Sequence, residues 1–446
     1  MLTKPWKIIT NIVVSLIALF ILLALVFIVI NIKDQPPSAT AMEFTHSWEN
    51  RNPVPAADNG YIYLLGFDVA EDLEPWAVGQ ERIKWSNEVI FPGEDEFLSF
   101  PQDYNDFQKN TPQPVKDILD GCAQITLDCI NSINSQREMI HQWSQTNPWI
   151  VDRYKQLIAH KAWLELAKVD MRLPLPNYAD VMKAQRHTFM LAYSNLQNAG
   201  NENIVDLLEQ DLRFWRMVLR DTDMLIGKMI AVVAIQNNFI WTNHLLLRLD
   251  DSDRSDLVLA MHYQPFTNEE LSIRRIMIGE WIFSGSLVNP LEGSDINNLT
   301  GKLLNQFFYK RQATLNKRAE LLNSIVLDLD VPLTDFEVTL DSYKKRVYPE
   351  KSLTDYLRHP YNIVGQILDQ LAPPDLYTEY VVRVKDVEAF RRGLMLSIEQ
   401  IGVVPNDQTQ NMSPYQNKPF VQDKQQRSIT VNGLGETVRA QQTYYY

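Results

Sequence analysis

The chain reads as a mainly α-helical protein, with an N-terminal transmembrane helix and a multi-helix body packed around one long central helix. Three observations predict this. Residues 8–32 form an apolar run behind two lysines, Lys4 and Lys7. Residues 203–249 hold no proline and a single glycine, Gly227, and their apolar residues recur at helical spacing. Short β-like runs are confined to the neighbourhoods of residues 61–65 and 418–431.

The anchor comes first. From Ile12 to Ile30, nineteen residues include one polar side chain, Ser15. That is enough to cross about 30 Å of hydrocarbon. A cleaved signal peptide has a core of roughly 7–15 residues, and the small-residue triplet Ala39-Thr40-Ala41 lies well past the run, beyond Lys33, Asp34 and Pro36-Pro37. An uncleaved signal anchor is expected over residues 8–32. Lys4 and Lys7 precede it, while Lys33 after it is offset by Asp34. The positive-inside rule leaves residues 1–7 in the cytoplasm and puts the bulk outside. In a bacterium with two membranes that compartment is the periplasm. Residues 33–58, with Pro36-Pro37, Asn52-Pro53 and Pro55 and no periodic apolar pattern, read as an extended, semi-rigid linker.

The helical body is expected over residues 59–404. Tyr61 to Leu65 is a short β-like run after Asn59-Gly60, and Pro75 opens a helix, a position proline favours. Trp76, Trp85, Phe97 and Phe100 surround that helix and a proline-rich loop. They either staple the loop to the body or line a groove for glycan or peptide. Residues 148–171 and 177–198 form a helical hairpin turned at Leu173-Pro174-Leu175-Pro176.

The central post is the next element. Leu208, Leu212, Trp215 and Leu219 fall on one face, with Glu209, Asp211, Arg216 and Arg220 between them. Met224 to Ile235 is apolar almost all round and must be covered by other elements. At 1.5 Å per residue the whole stretch makes one helix roughly 70 Å long. Lys228, Gln236, Asn237 and Asn238 argue against a second membrane span, since a lysine at a helix centre costs about 2.5–3.5 kcal/mol on insertion. Gly227 marks either a close contact or a hinge. Shorter helices are expected at 254–261, 268–283, 301–328 and 384–401, with prolines breaking 329–384. Residues 405–437 read as a hairpin element. Residues 438–446, ending in Tyr444-Tyr445-Tyr446, read as a disordered tail.

Cys122 and Cys129 are the only cysteines. On an unbroken helix their α-carbons would lie about 10.5 Å apart, too far for a disulfide, which needs less than about 7 Å. Either the segment turns at Thr126-Leu127-Asp128 and they are bridged, or it is helical and both are free. An oxidising compartment favours the bridge. A net charge of −13 and a pI near 5.1 argue against nucleic acid as a main partner. Two cysteines cannot build a zinc ribbon, and the chain holds neither a phosphate loop nor a dinucleotide fingerprint, so no cofactor is expected.

Candidates for chemistry are few. Glu138 and His141 share a helix face at a spacing used in di-iron bundles, but such a site needs a second pair, and no metal is expected. His46, His141, His160, His187, His244, His262 and His359 include no two at zincin spacing. Ser284-Gly285-Ser286 lacks the flanking glycines of a nucleophile elbow. Asp250-Asp251 and Glu94-Asp95-Glu96 read as solvated loops.

The stretch from Arg391-Arg392-Gly393-Leu394 to Ser413-Pro414-Tyr415-Gln416-Asn417-Lys418-Pro419-Phe420 resembles the carboxy-terminal module of uncharacterised bacterial membrane-anchored proteins, in which a last helix leads to a proline–aromatic turn, a Gly-Lys-Pro and a small β-hairpin. A similar element occurs in pseudopilins. Asn417 stands where glycine is common. The blocks Asp211-Leu212-Arg213-Phe214-Trp215-Arg216 and Leu225-Ile226-Gly227-Lys228-Met229-Ile230-Ala231 resemble the middle of uncharacterised single-pass proteobacterial proteins. The resemblance implies a bacterial inner-membrane location and names no activity. The expectation is a non-catalytic scaffold or binding protein with an envelope protein partner. The alternative is an envelope hydrolase acting on cell-wall material or peptides.

Overall fold

The computed structural model describes residues 4–91, 97–101, 111–196, 201–250, 254, 259–288, 307–346, 352–371, 373, 375–402, 412–415 and 419–446. It is mainly helical, with one small antiparallel sheet near the C-terminus.

Helix α1, Lys4–Ile30, is long and apolar enough to cross a membrane; most of its apolar residues are exposed, while near its end Phe27 packs 4.9 Å from the Phe308 ring. The segment after it is no loose linker. Asn31 is fully buried; its Nδ2 donates to Phe27 O and Pro360 O, both at 3.0 Å, and its Oδ1 accepts from Asn362 N at 2.9 Å. Asn316 Nδ2 donates to Pro36 O at 2.9 Å, and Ser38 N donates to Asn316 Oδ1 at 2.8 Å. Ser38 then caps α2, Ala39–Glu49. Ala41 and Phe44, one helical turn apart, are buried, with Phe44 edge-on to Trp281 at 5.9 Å. The expected linker over residues 33–58 is therefore a strap fastened to the body. The prolines do set an extended path, but side chains far along the chain bind it.

Tyr61 to Leu65 is not β-like: it belongs to helix α3, Gly60–Leu65, and every residue of it is buried. A short apolar run has no period that separates strand from buried helix. Asn59 decides the local structure. It accepts from Tyr61 N at 3.1 Å as N-cap, and bonds both backbone groups of Leu164 through its side chain. Helix α4, Pro75–Glu88, begins with proline as expected, capped by Glu74. It crosses α3 so closely that a Cβ on Gly79 would lie 1.8 Å from Ile62 O.

Helices α5, Gln113–Gly121, and α6, Leu127–Ser135, are separated by a turn. That turn brings Cys122 and Cys129 to a Cα separation of 5.1 Å in a disulfide. Helices α7, Arg137–Thr146, and α8, Pro148–Ile158, come next. The helix expected over 148–171 stops at Ile158, where Gly60 and Asn59 draw Ala162 and Leu164 into backbone pairing. Helix α9 is Tyr178–Asn195.

The expected single post is two helices, α10, Asn201–Asp221, and α11, Leu225–Leu247. They fold back on each other: Lys228 Nζ donates to Leu219 O at 2.8 Å and Asn238 Nδ2 to Leu208 O at 3.0 Å. The turn is made from outside, where Glu165 accepts from Thr222 Oγ1 at 2.6 Å and from Asp223 N at 2.7 Å. Gly227 is the close contact expected of it, since a Cβ there would meet Thr222 Oγ1 at 2.3 Å. Helix α11 is long and apolar enough to be a span, but most of it is buried inside the body, and Lys228 satisfies its ammonium with three backbone carbonyls.

The remaining helices wrap this hairpin: α12, Ala260–Tyr263, α13, Asn268–Leu271, α14, Arg274–Val288, α15, Arg311–Leu329, α16, Leu333–Lys344, α17, Leu353–Arg358, α18, Ile363–Leu371, and α19, Asp375–Gln400. Prolines break the segment as expected: Pro332, Pro360 and Pro373 fall between successive helices, with Pro332 as the N-cap of α16. Strands β1, Val421–Asp423, and β2, Ser428–Asn432, form the expected hairpin. The tail, expected to be disordered, supplies a third strand, β3, Gln441–Tyr445, paired antiparallel to β2. Tyr444 is fully buried, and a Cβ on Gly393 of α19 would meet Val431 Cγ2 at 2.1 Å, so only glycine lets the sheet seat this closely.

Candidate functional site

The polar face of α10 and the turn after it present Arg213, Arg216, Arg220, Asp221 and Asp223 toward open space. A cleft of about 540 Å³ lies where α2, this turn and α14 meet. At its base Asp223, 2% exposed in its side chain, is held by Arg51 and by Arg275 Nε at 2.7 Å. The Arg51 guanidinium stacks 3.7 Å above the Trp48 ring, and its Nη1 also donates to Glu165 O at 3.1 Å. Arg220 pairs with Asp221 and Arg274 with Glu43. A second cleft, also about 540 Å³, shares Arg220 and Glu269 with the first and adds Lys161, Arg213 and Arg216. Arg216 is saturated: it grips Glu270 with two hydrogen bonds at 2.7 and 2.8 Å and donates to Met261 O, Gln264 O and Pro265 O. Across both clefts seven cationic side chains face four carboxylates. In a chain of net charge −13 this groove is locally positive, which suits an acidic ligand.

Behind the groove Glu165 is fully buried and its carboxyl is raised to about 7, first by burial and then by the charge of Asp223, against the donors Thr222, Asp223 N–H and Trp163. It is the titratable group that couples the α10–α11 turn to the groove floor.

Other shifted groups are sealed in the core. Asp211 is raised to about 6 by burial, although Tyr154, Asn238 and Gln185 all donate to it. Asn238 passes the network to His262 at 2.9 Å, and His262 meets Glu209 at 3.0 Å. Burial pushes His187 down to about 3 and His244 to about 4. This network ties α8, α9, α10, α11 and α12 together, and none of these groups lines either cleft of the groove. One exception to the pattern is Glu280. It lines an apolar pocket of about 310 Å³ with Leu175, Met224, Ile226, Met229 and Phe283, and burial raises its carboxyl.

The sequence candidates for chemistry are scattered and occupied. Glu138 bonds Gln142 and His141 bonds Gln145, both along α7, and among the described residues no three metal-ligating side chains cluster. Ser284 and Ser286 bond backbone carbonyls of their own helix, α14. Trp85 packs edge-on to Phe100 at 5.7 Å, and Arg82 stacks over Phe100 at 4.4 Å. That is a staple, although Phe97 is 69% exposed. Glu94-Asp95-Glu96, Asp251 and Gln416-Asn417-Lys418 lie outside the described residues. The residues that clamp the strap to the body, Asn31, Asn316 and Asp34, which accepts from Gln312 N and Ala313 N, escape sequence reasoning. Asn31 and Asp34 signal only as polar residues closing an apolar run, and Asn316, inside α15, carries no signal.

No protein-family model, curated protein or solved structure matches this chain.

Proposed function

We propose that this chain is a non-catalytic scaffold or binding protein of the bacterial inner membrane, which holds its body outside at a fixed orientation and offers the arginine-rich groove to an acidic envelope protein partner. The carrying observation is the clamp between anchor and body. A tethered enzyme profits from reach, whereas Asn31, Asp34 and Asn316 remove it. Lys4 and Lys7 before the span support this orientation through the positive-inside rule. The Cys122–Cys129 disulfide fits an oxidising compartment. The C-terminal resemblance to membrane-anchored and pseudopilin-like modules supports the same location.

Crosslinking in intact cells followed by purification from solubilised membranes tests the reading. A reproducible partner in fixed ratio, lost when Lys161 and Arg213 are both reversed to glutamate, supports it. Recovery of monomer alone contradicts it. The second reading, an envelope hydrolase, has one observation in its favour, the raised carboxyl of Glu280 beside an apolar pocket. Hydrolysis of cell-wall material or peptides that disappears in Glu280→Gln would establish it.

A further inference from the structure

The small sheet ends in an open edge that faces a built cleft. Tyr446 N–H donates to Arg427 O at 2.8 Å and Gly433 N–H to Ala440 O at 2.6 Å. The register pairs Tyr444 with Ile429 and Gln442 with Val431. Even-numbered residues of β3 therefore turn their backbone groups toward β2, and Gln441, Thr443 and Tyr445 turn theirs outward. At Tyr445 the side chain of Asn243 stands in for a neighbouring strand: its Nδ2 donates to Tyr445 O at 2.8 Å and its Oδ1 accepts from Tyr445 N at 2.9 Å. Among the described residues nothing bonds the outward N–H and C=O of Gln441 and Thr443.

Those groups face a cleft of about 400 Å³ between β3, the disulfide-closed loop bearing Gln124 and Thr126, and Gln236 and Asn237 of α11. Gln236 supplies an independent sign of a ligand. It is 3% exposed, lines this cleft, and its side chain makes no hydrogen bond among the described residues. Its amide opens into the cleft, where it offers two donors and an acceptor to whatever enters. The cleft is closed at one end by Asn243 on Tyr445 and at the other by Arg439, which donates to Ala123 O at 2.9 Å.

We propose that this cleft receives a short extended peptide segment of a partner protein, added as a fourth strand along β3. A strand backbone repeats its donor and acceptor every second residue, about 6.8 Å apart, which is the spacing of the outward groups at Gln441 and Thr443. Side chains of the guest that point at α11 meet Gln236 and Asn237, so amide and hydroxyl residues are selected there. The site is separate from the arginine-rich groove and does not rest on the function proposed for that groove.

The test uses the full-length protein in detergent micelles and a displayed library of random seven-residue peptides. Thr443→Pro removes the outward N–H while leaving the ladder to β2 untouched, because proline is tolerated on an outward-facing edge. Gln236→Leu removes the unpartnered amide. Gln422→Pro makes the equivalent change on the opposite edge of the sheet, at β1. Selected peptides should shift the amide resonances of Gln441 and Thr443. They should bind Thr443→Pro and Gln236→Leu at least about tenfold more weakly, and bind Gln422→Pro unchanged. Failure to select any binder, equal binding to Thr443→Pro and the unaltered protein, or occupation of the cleft by chitotriose where peptides are silent would each overturn the proposal.

Discussion

Asp34 caps helix α15 from far along the chain: its Oδ2 accepts from Gln312 N, 278 residues later, at 2.7 Å, while its Oδ1 takes Ala313 N at 3.0 Å. An aspartate just past the end of the apolar helix thus satisfies two of the orphan donors at the N-terminus of α15, where its charge also suits the helix dipole. Asp34→Ala should lower the stability of the body by about 1 kcal/mol. Hydrogen exchange should localise the loss to the first turn of α15. Unchanged exchange there would show that the cap carries no energy.

The Asn31 site has more at stake, because Asn31→Ala strands Asn362 N and Pro360 O in a buried place. Each stranded group costs about 1–3 kcal/mol. Limited proteolysis should then cut between residues 31 and 38 in the variant and spare the unaltered protein.

Glu165 makes stability depend on pH. A carboxyl whose folded-state pKa is raised binds its proton more tightly in the folded protein. Its stabilising contribution is complete below its unfolded value near 4.5 and is lost as pH rises through about 7. The total loss is about 3 kcal/mol. Chemical denaturation between pH 5 and 8 should show this decline, and Glu165→Gln should flatten it. An equal decline in both proteins would assign it elsewhere.

The disulfide closes a short loop, with a sequence separation of seven. Replacing both cysteines by serine should cost on the order of 2–3 kcal/mol in denaturant, by freeing the unfolded chain. The loop that walls the β3 cleft should also exchange its amides faster.

Lysine at position 228 is placed by three carbonyls, those of Leu219, Glu270 and Ser272. Lys228→Met keeps the apolar volume and leaves those carbonyls without a donor. A destabilisation of roughly 3 kcal/mol or more is expected in thermal or denaturant unfolding. A neutral result would mean that the carbonyls find water.

These same residues show which parts of the fold are legible in the sequence. The apolar helix α1 is legible because nineteen consecutive residues carry the signal by themselves. So are α4, opened by Pro75, and the β1–β2 hairpin. The turn that splits the central post is not, because it depends on Glu165, 57 residues before Thr222 in the chain. Only Gly227 hints at it. Strand β3 is hidden for a similar reason: Tyr444 is buried only because α19 has a glycine at 393 where the sheet lands. The groove is partly visible in Arg216, Arg220 and the Arg274-Arg275 doublet. Its geometry needs Arg51, from a segment whose prolines mimic a loose linker. The clamp is invisible because Asn31 and Asp34 look like ordinary polar ends of an apolar run until Asn362 and Gln312 are brought to them.

The central claim is that the apolar helix α1 and the body form one rigid unit, and a distance measurement tests it most directly. Both native cysteines are bridged, so new ones can be labelled selectively. Nitroxide labels at Leu22 on α1 and Leu327 on α15, both well exposed, should give a single narrow distance by pulsed electron resonance in lipid nanodiscs. That distance should broaden when Asn31 and Asp34 are both replaced by alanine. A broad distribution already present in the unaltered protein, of the kind a flexible tether produces, would contradict the account.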